Sequence, residues 1–218
     1  MQQKTIIFDM DGVIFDTENV ILQCWRVIAE KYKVSDIEET FYKVIGTNVD
    51  ETKRILLETY GSDFPYEQFR ADYRERFYGT IAREGLPIKK GVRELLSFLK
   101  INGYRVGLAS STRREVVIDE LSQAGLLAFF EVVVCGDMVE RSKPEPDIYL
   151  YACEELQIHP SQAYAIEDSK NGIRSAHAAG LKVIHVPDLL PPDLETEQLA
   201  DMVCKDLLEV RNYLAPLS

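Results

Sequence analysis

The sequence predicts an α/β protein with a doubly wound, mostly parallel sheet and an α-helical insert after the first strand. Three observations in its 218 residues lead to this prediction. Short apolar runs rich in β-branched residues alternate with segments of helical periodicity. The apolar runs are continuous, as expected for parallel strands that are buried on both faces. Between the first run and the second lies a long stretch with helical periodicity throughout, which indicates the insert.

Five apolar runs predict strands, and each of them ends at a polar or turn residue. These runs cover residues 5–8, 104–109, 132–135, 163–166 and 182–186. Four segments between them predict helices, at residues 92–100, 114–124, 147–156 and 172–179. Glycines at positions 103, 125 and 180 follow predicted helix ends, and glycine favours the left-handed conformation that closes many helices. The connections between parallel strands are expected to be right-handed.

The domain boundaries follow from the change in periodicity. We assign residues 1–17 and 86–218 to an α/β core and residues 18–85 to a helical insert. Asn48, followed three residues later by Glu51, forms a capping-box pattern inside the insert. The helical patterns of the insert cover residues 20–31, 51–60 and 66–82.

The composition is that of a globular protein with a marked acidic excess. Hydrophobic residues make up 46% and charged residues 28%, and the formal net charge is −11. Without a cluster of Lys and Arg, this charge argues against a nucleic-acid-binding protein. An anionic substrate therefore needs a local positive site. No apolar stretch approaches the roughly 18 residues of a membrane span, and we find no export signal. We expect a cytoplasmic protein without nucleic-acid or membrane partners, whose four cysteines are reduced.

Reactive side chains follow four of the predicted strands, at the points where the strands end. In open α/β sheets, ligands bind beyond the carboxyl ends of the strands. We therefore expect these side chains to converge on one site. They are Asp9 and Asp11 after the first strand, Ser110 and Ser111 after the second, Lys143 after the third, and Glu167 and Asp168 after the fourth.

The charges of this group indicate a metal site. Convergence would place the carboxylates of Asp9, Glu167 and Asp168 side by side. Two such charges about 5 Å apart repel by roughly 3 kcal/mol at an effective dielectric constant of 20. A divalent cation would remove this repulsion, and ligands that offer only oxygen favour Mg²⁺. Lys143, the serines after the second strand and nearby backbone N–H groups could hold a phosphoryl group beside the metal.

Two aspartates on the first strand suggest the chemistry. A carboxylate such as Asp9, directed at phosphorus, can form an aspartyl-phosphate and so split one difficult transfer into two easier steps. Asp11, two residues further on, is placed to protonate the leaving alkoxide and later to activate water. General acid–base catalysis of this kind typically contributes 10²- to 10⁴-fold in rate.

Four motifs occur in order along the chain: Asp9-Met10-Asp11-Gly12-Val13, then Ser110, then Ser142-Lys143-Pro144-Glu145-Pro146, then Glu167-Asp168. By these motifs the sequence resembles the haloacid dehalogenase superfamily. The neighbouring residues 15–18 and 166–172 are similar to the branch that contains β-phosphoglucomutase, phosphoglycolate phosphatases and sugar-phosphate phosphatases. The resemblance implies a Rossmann-like core, a helical cap over the substrate, and Mg²⁺ held by Asp9, the backbone carbonyl of Asp11, and Asp168. Glu167 would assist directly or through water.

Within this branch, the sequence favours a phosphatase over a mutase. β-Phosphoglucomutase has a histidine shortly after its Asp-Thr pair and an arginine at the start of the second cap helix. The aligned positions here are Ile21 and Val49, neither of which can bind a second phosphate. We therefore expect hydrolysis of a small phosphorylated metabolite, such as a sugar phosphate. A phosphosugar mutase remains the alternative.

Several residues of the expected cap are candidates for substrate contact. Thr17 and Glu18 mark the point where the chain leaves the core, and Arg74 could meet an anionic group. The segment that contains Gly46 and Asn48 is either a specificity loop or a plain helix cap. The sequence does not decide between these two interpretations.

A signalling receiver module is a further alternative, because it also combines an acceptor aspartate, an acidic metal pair, a hydroxyl and a lysine. Receivers are shorter, lack an inserted cap and carry their acidic pair on the first strand. Here that pair, Glu167 and Asp168, follows the fourth strand instead. A phosphatase that acts as a monomer on a small molecule is the expectation from the sequence.

Overall fold

The computed structural model describes residues 5–47 and 49–217, which form two compact units. One unit is built from the chain up to Asp16 and from Pro87 onward, and we call it the core unit. The other consists of Thr17–Leu86, and we call it the insert unit. The role of the insert unit as a cap over a site stays a prediction.

Within the described residues, six strands form one parallel sheet in the core unit. The order across the sheet is β3-β2-β1-β4-β5-β6, so that β1 lies between β2 and β4. Phe8 of β1 pairs with Leu108 on one side and with Ile166 on the other. The α/β fold with a parallel sheet is therefore confirmed. The strands are β1 Thr5–Phe8, β2 Arg105–Ser110, β3 Val132–Cys135, β4 Ala163–Glu167, β5 Lys182–His185 and β6 Met202–Val203.

The insert unit contains four helices among the residues described there, one more than the sequence predicted. They are α1 Thr17–Tyr32, α2 Ile37–Val44, α3 Val49–Tyr60 and α4 Tyr66–Glu84. The sequence analysis missed α2, although its buried residues Ile37, Phe41 and Val44 repeat at helical spacing. Trp25 forms the centre of the unit, with ring centroids 5.1 Å from Phe41 and 5.0 Å from Phe69. The capping role predicted for Asn48 lies outside the described residues.

Helices flank the sheet of the core unit, and the first four of them match the predictions to within two residues. They are α5 Val92–Ile101, α6 Arg114–Gln123, α7 Asp147–Glu155, α8 Lys170–Ala178, α9 Leu194–Leu199 and α10 Leu207–Leu214. α8 begins two residues before the predicted Gly172, because the Ser169 side chain accepts the Gly172 N–H and caps the helix there. The sequence analysis also missed β6, α9 and α10, which are too short to show a period.

All four cysteines are free thiols and buried. Burial lowers the pKa of His185, whose Nε2 donates to the Asp168 carbonyl at 3.2 Å. No helix in the described part of the chain has the length and apolar character to cross a bilayer.

Candidate active site

The centre of the sheet brings the acidic residues together. Asp9 directly follows β1, and its N–H donates to the Ile166 carbonyl at 3.0 Å. This bond aligns Asp9 with Glu167, the last residue of β4. The chain moves from β1 to β2 on one side and returns to β4 on the other, so the crevice lies where the winding direction reverses.

Lys143 connects two of the carboxylates. Its Nζ donates to Asp9 Oδ1 at 2.6 Å and to Glu167 Oε1 at 2.6 Å. The third bond goes to the Ala109 carbonyl at 3.0 Å. The Tyr149 hydroxyl lies 3.5 Å from the same Nζ, at the outer limit of a hydrogen bond. The lysine side chain is only 7% exposed, which makes it a buried cation fixed between two carboxylates.

Asp168 completes a cluster of three carboxylates. One oxygen from each of Asp9, Glu167 and Asp168 can be chosen so that all three lie within 4.8 Å of one another. Asp168 packs against Gly12, in space that a side chain would otherwise fill: a Cβ at position 12 would lie 2.0 Å from Asp168 Oδ2. Gly12 also has φ +77°, a conformation that other residues rarely adopt. The glycine after the aspartate pair is therefore part of the site.

The electrostatics of the cluster fit a divalent cation. Burial raises the pKa of Asp9 to about 8, against the attraction of Lys143 and with the repulsion of Glu167 and Asp11. Burial and the neighbouring carboxylates also raise the pKa of Asp168 well above its ordinary value. Burial lowers the pKa of Lys143, but Asp9 and Glu167 outweigh this effect and keep the amine protonated. One lysine cannot balance three carboxylates, and an oxygen-only donor set suits a hard dication.

The serines after β2 differ in their surroundings. Ser110 is fully buried, and its Oγ accepts the Thr112 N–H at 3.1 Å. The Thr112 hydroxyl in turn donates to Asp11 Oδ2 at 3.0 Å, which links the second strand to the second aspartate. Ser111 is exposed, and its backbone carbonyl packs against Gly136. The bonds of Ser110 and Thr112 therefore connect this turn to Asp11.

Sequence reasoning missed three residues that contact carboxyl groups of the site: Thr112 at Asp11, and Tyr149 and Gly172 at Glu167. The Tyr149 hydroxyl donates to Glu167 Oε1 at 2.6 Å. A Cβ on Gly172 would lie 2.0 Å from both oxygens of the same carboxylate. Tyr149 could have been noticed in the sequence, because its hydroxyl lies on the apolar face of the helix after Lys143 and a buried hydroxyl needs a partner. The contact at Gly172 depends on helix and strand placement, which a sequence pattern does not contain.

The candidate residues of the insert unit have the following surroundings. Thr17 is buried, and its hydroxyl has no hydrogen-bond partner among the described residues. Glu18 is half-buried, and Gly46 has φ +74°. Arg74 is exposed and donates to the Tyr78 hydroxyl one turn further along α4, at 3.1 Å. Their predicted roles in substrate binding stay predictions.

Known proteins of one enzyme family are similar to this chain. A family profile described as a haloacid dehalogenase-like hydrolase matches residues 6–186. The chain is 33% identical over 185 residues to the phosphorylated carbohydrates phosphatase of Thermotoga maritima, with 84% of each sequence covered. It is 29% identical over 215 residues to the β-phosphoglucomutase of Bacillus subtilis, with 94% of each covered.

A crystal structure of a HAD family hydrolase from Deinococcus radiodurans R1, with bound phosphate and sodium, superimposes on the chain with a TM-score of 0.84. The two are 29% identical, and the match covers 99% of this chain and 96% of that one. Members of the family generally use a divalent metal. The chain belongs to the haloacid dehalogenase-like hydrolase family and is a phosphoric monoester hydrolase or a phosphotransferase.

Proposed function

We propose that the chain is a Mg²⁺-dependent phosphatase that hydrolyses a small phosphorylated metabolite, such as a sugar phosphate, through an aspartyl-phosphate on Asp9. One observation carries the proposal: a single buried lysine bonds both Asp9 and Glu167, at 2.6 Å each, beside a third carboxylate. This arrangement combines a nucleophile, a cation for phosphate oxygens and a set of metal ligands in one crevice.

The proposed reaction has two steps, both at phosphorus. In the first, Asp9 Oδ2 forms a bond to phosphorus while the bond to the leaving oxygen breaks, and Asp11 gives that oxygen a proton. In the second, water attacks phosphorus, Asp11 takes its proton, and the bond to Asp9 breaks to release inorganic phosphate. Lys143 holds Asp9 Oδ1 at 2.6 Å, which leaves Oδ2 as the attacking atom. Ser110 keeps its hydroxyl proton for a phosphate oxygen, since its Oγ serves as the acceptor for Thr112.

The metal would be held by Asp9, Asp168 and the backbone carbonyl of Asp11, with Glu167 directly or through water. When bound, Mg²⁺ supplies positive charge that offsets the negative charge of the phosphoryl group. Ser110, Ser111 and Lys143 would contact the phosphate, and Thr17, Glu18, Gly46, Asn48 and Arg74 would belong to the substrate side of a cap. The excess of carboxylate over lysine charge supports a divalent rather than a monovalent ion.

The setting of the proposed enzyme follows from its composition. A small phosphorylated molecule suits the strongly acidic chain, because attraction is needed at the crevice only. Four buried free thiols support a reducing compartment, and we propose the cytoplasm. We propose a monomer, with neither nucleic acid nor membrane as partner.

A phosphosugar mutase is the second candidate, favoured by the similarity to the β-phosphoglucomutase of Bacillus subtilis over 94% of both sequences. Ile21 is half-buried and Val49 is 49% exposed, and neither side chain can bind a second phosphate. Incubation with β-glucose 1-phosphate and a bisphosphate activator distinguishes the two candidates. Glucose 6-phosphate as the main product would support the mutase, whereas release of inorganic phosphate supports the phosphatase.

The decisive test uses a panel of phosphorylated metabolites and p-nitrophenyl phosphate, with release of inorganic phosphate as the readout. We expect turnover in Mg²⁺, loss of turnover in EDTA and recovery when Mg²⁺ is restored. Asp9→Asn should abolish turnover while the circular dichroism spectrum is unchanged, because an amide is not a nucleophile. Asp119→Asn, an exposed carboxylate on α6, is the matched control and should keep wild-type kcat. Wild-type kcat in Asp9→Asn would remove Asp9 as the nucleophile.

A further inference from the structure

Tyr149 is a buried polar residue that the proposed reaction does not use. Its side chain on α7 is fully buried, and its hydroxyl lies 2.6 Å from Glu167 Oε1. A tyrosine hydroxyl carries its proton at neutral pH, so it is the donor of this bond and the carboxylate oxygen is the acceptor. The bond is therefore a charge-assisted one between a tyrosine and a buried carboxylate, which is stronger than a neutral hydrogen bond.

The two oxygens of Glu167 have different surroundings. Oε1 accepts from Lys143 at 2.6 Å and from Tyr149 at 2.6 Å, which occupies both of its lone pairs. Oε2 is contacted by the Ser169 hydroxyl at a longer 3.3 Å. Gly172 lies against the flat face of the carboxyl group and leaves it no space to tilt. The carboxylate thus has one fully used oxygen and one that can still accept a ligand.

We propose that Tyr149 is a positioning residue that holds Glu167 so that Oε2, and not Oε1, is directed to the metal or to a metal-bound water. The inference rests on the Mg²⁺ site proposed above. Residues that orient a metal ligand through a hydrogen bond typically change metal affinity or activity by 10- to 100-fold when they are removed. Lys143 alone would leave one lone pair of Oε1 open, and the carboxylate could then rotate toward the cation.

A purely structural role is the competing interpretation, since tyrosine also fills the core beside β3 and α8. Tyr149→Phe separates the two roles because it removes the hydroxyl and keeps the ring. Tyr151→Phe is the matched control, since Tyr151 lies on the same helix and is partly buried against the same core. Both variants remove one phenolic oxygen, but only one of these oxygens contacts Glu167.

The experiment measures Mg²⁺ binding by isothermal titration calorimetry without substrate, for the wild type, both tyrosine variants, Glu167→Gln and Tyr149→Phe/Glu167→Gln. We expect Tyr149→Phe to weaken Mg²⁺ binding about 10- to 100-fold and Tyr151→Phe to leave it unchanged. If the hydroxyl acts through Glu167, the double variant should bind Mg²⁺ as Glu167→Gln does, with no further loss.

Each other outcome overturns the inference. Wild-type Mg²⁺ affinity in Tyr149→Phe with a lowered melting temperature would assign the residue to the core alone. Additive losses in the double variant would mean that the hydroxyl does not act through Glu167. If the wild type binds Mg²⁺ and hydrolyses a phosphate ester, and Tyr149→Phe binds Mg²⁺ with the same affinity, the inference is wrong but the proposed function is intact. A wild-type protein that binds no Mg²⁺ removes both.

Discussion

At the scale of single residues, the turn after β2 holds the side chain of Asp11, which follows β1. Thr112 donates its backbone N–H to Ser110 and its hydroxyl to Asp11 Oδ2, at 3.1 and 3.0 Å. The hydroxyl therefore fixes the orientation of a carboxylate that is proposed to exchange a proton twice per turnover. An acid–base group must keep its position to within a few tenths of an ångström of the atom it serves.

Two substitutions separate the chemistry of Asp11 from its orientation. Asp11→Asn should lower kcat by roughly 10²- to 10⁴-fold, because the amide cannot exchange the proton. Thr112→Val removes one neutral-to-charged hydrogen bond of about 1.5–3 kcal/mol, so we expect a smaller loss of roughly 10- to 100-fold. Steady-state kinetics on the best substrate of the panel measures both. A loss below tenfold in Asp11→Asn would exclude it as the acid–base group.

The acidic residues and the lysine were found from their places at strand ends, but the residues that hold them were not. Asp9, Glu167 and Asp168 follow strands, so the topology of a parallel sheet is enough to predict that they lie near one another. Tyr149 looks like an ordinary core residue in the sequence of α7. Its partner, Glu167, becomes visible only when α7 packs on the sheet.

At the scale of the element, α8 shows how a helix start forms part of a site. Ser169 caps the helix through the Gly172 N–H at 3.1 Å, and the same hydroxyl contacts Glu167 Oε2. The Glu167 carboxyl group therefore lies against the first turn of α8, where the helix dipole favours a negative charge. The glycine in this turn is required because Glu167 lies where any side chain would be.

Two glycine-to-alanine substitutions in helices test this requirement. In an open helix position, alanine is more favourable than glycine by roughly 0.8–1 kcal/mol. Gly79→Ala in α4 meets no atom within 4 Å and should raise the free energy of unfolding by about that amount. Gly172→Ala should lower it by roughly 1–3 kcal/mol, since the new methyl overlaps a carboxyl group held by Lys143 and Tyr149.

Urea unfolding followed by circular dichroism measures both changes, and Mg²⁺ titration of Gly172→Ala gives a second readout. Weaker Mg²⁺ binding is expected because Glu167 must move. Equal stabilisation by the two alanines would show that the carboxyl group can move aside at no cost, against the packing seen at Gly172.

At the scale of the whole molecule, protons and the proposed metal compete for the same buried carboxylates. The pKa of Asp9 is raised from its ordinary 3.8 to about 8 in the folded chain, mainly by burial. The folded state therefore binds more protons than the unfolded state across this interval. The contribution of Asp9 to the free energy of unfolding is therefore fully present below about pH 4, and this contribution is lost as pH rises to 8.

Thermal unfolding at pH 5 and pH 8 tests this linkage. In EDTA, Asp9 should make the melting temperature lower at pH 8 than at pH 5. Added Mg²⁺ should raise the melting temperature more at pH 8, because at pH 5 the cation must first displace protons from its ligands. Asp9→Asn should reduce both effects. Equal Mg²⁺-induced shifts at the two pH values in the wild type would contradict the linkage.

The sequence by itself determined the fold class and the family, and it predicted which side chains follow the strands at one edge of the sheet. This was possible because buried parallel strands leave continuous apolar runs, and because functional residues follow strands at predictable positions. The sequence analysis missed α2 and β6: β6 has only two residues, too few for any period, whereas the helical spacing in α2 is present and was overlooked.

Only the tertiary structure decided how the reactive side chains are held. The hydrogen bonds of Tyr149 and Thr112 join segments that are far apart in the chain. The packing of Asp168 against Gly12 does the same, and Glu167 packs against Gly172 at the start of the next helix. Such contacts depend on distances of a few ångströms between packed elements. A linear pattern of polar and apolar residues contains no such distances, because it records what each position prefers and not which partner it meets.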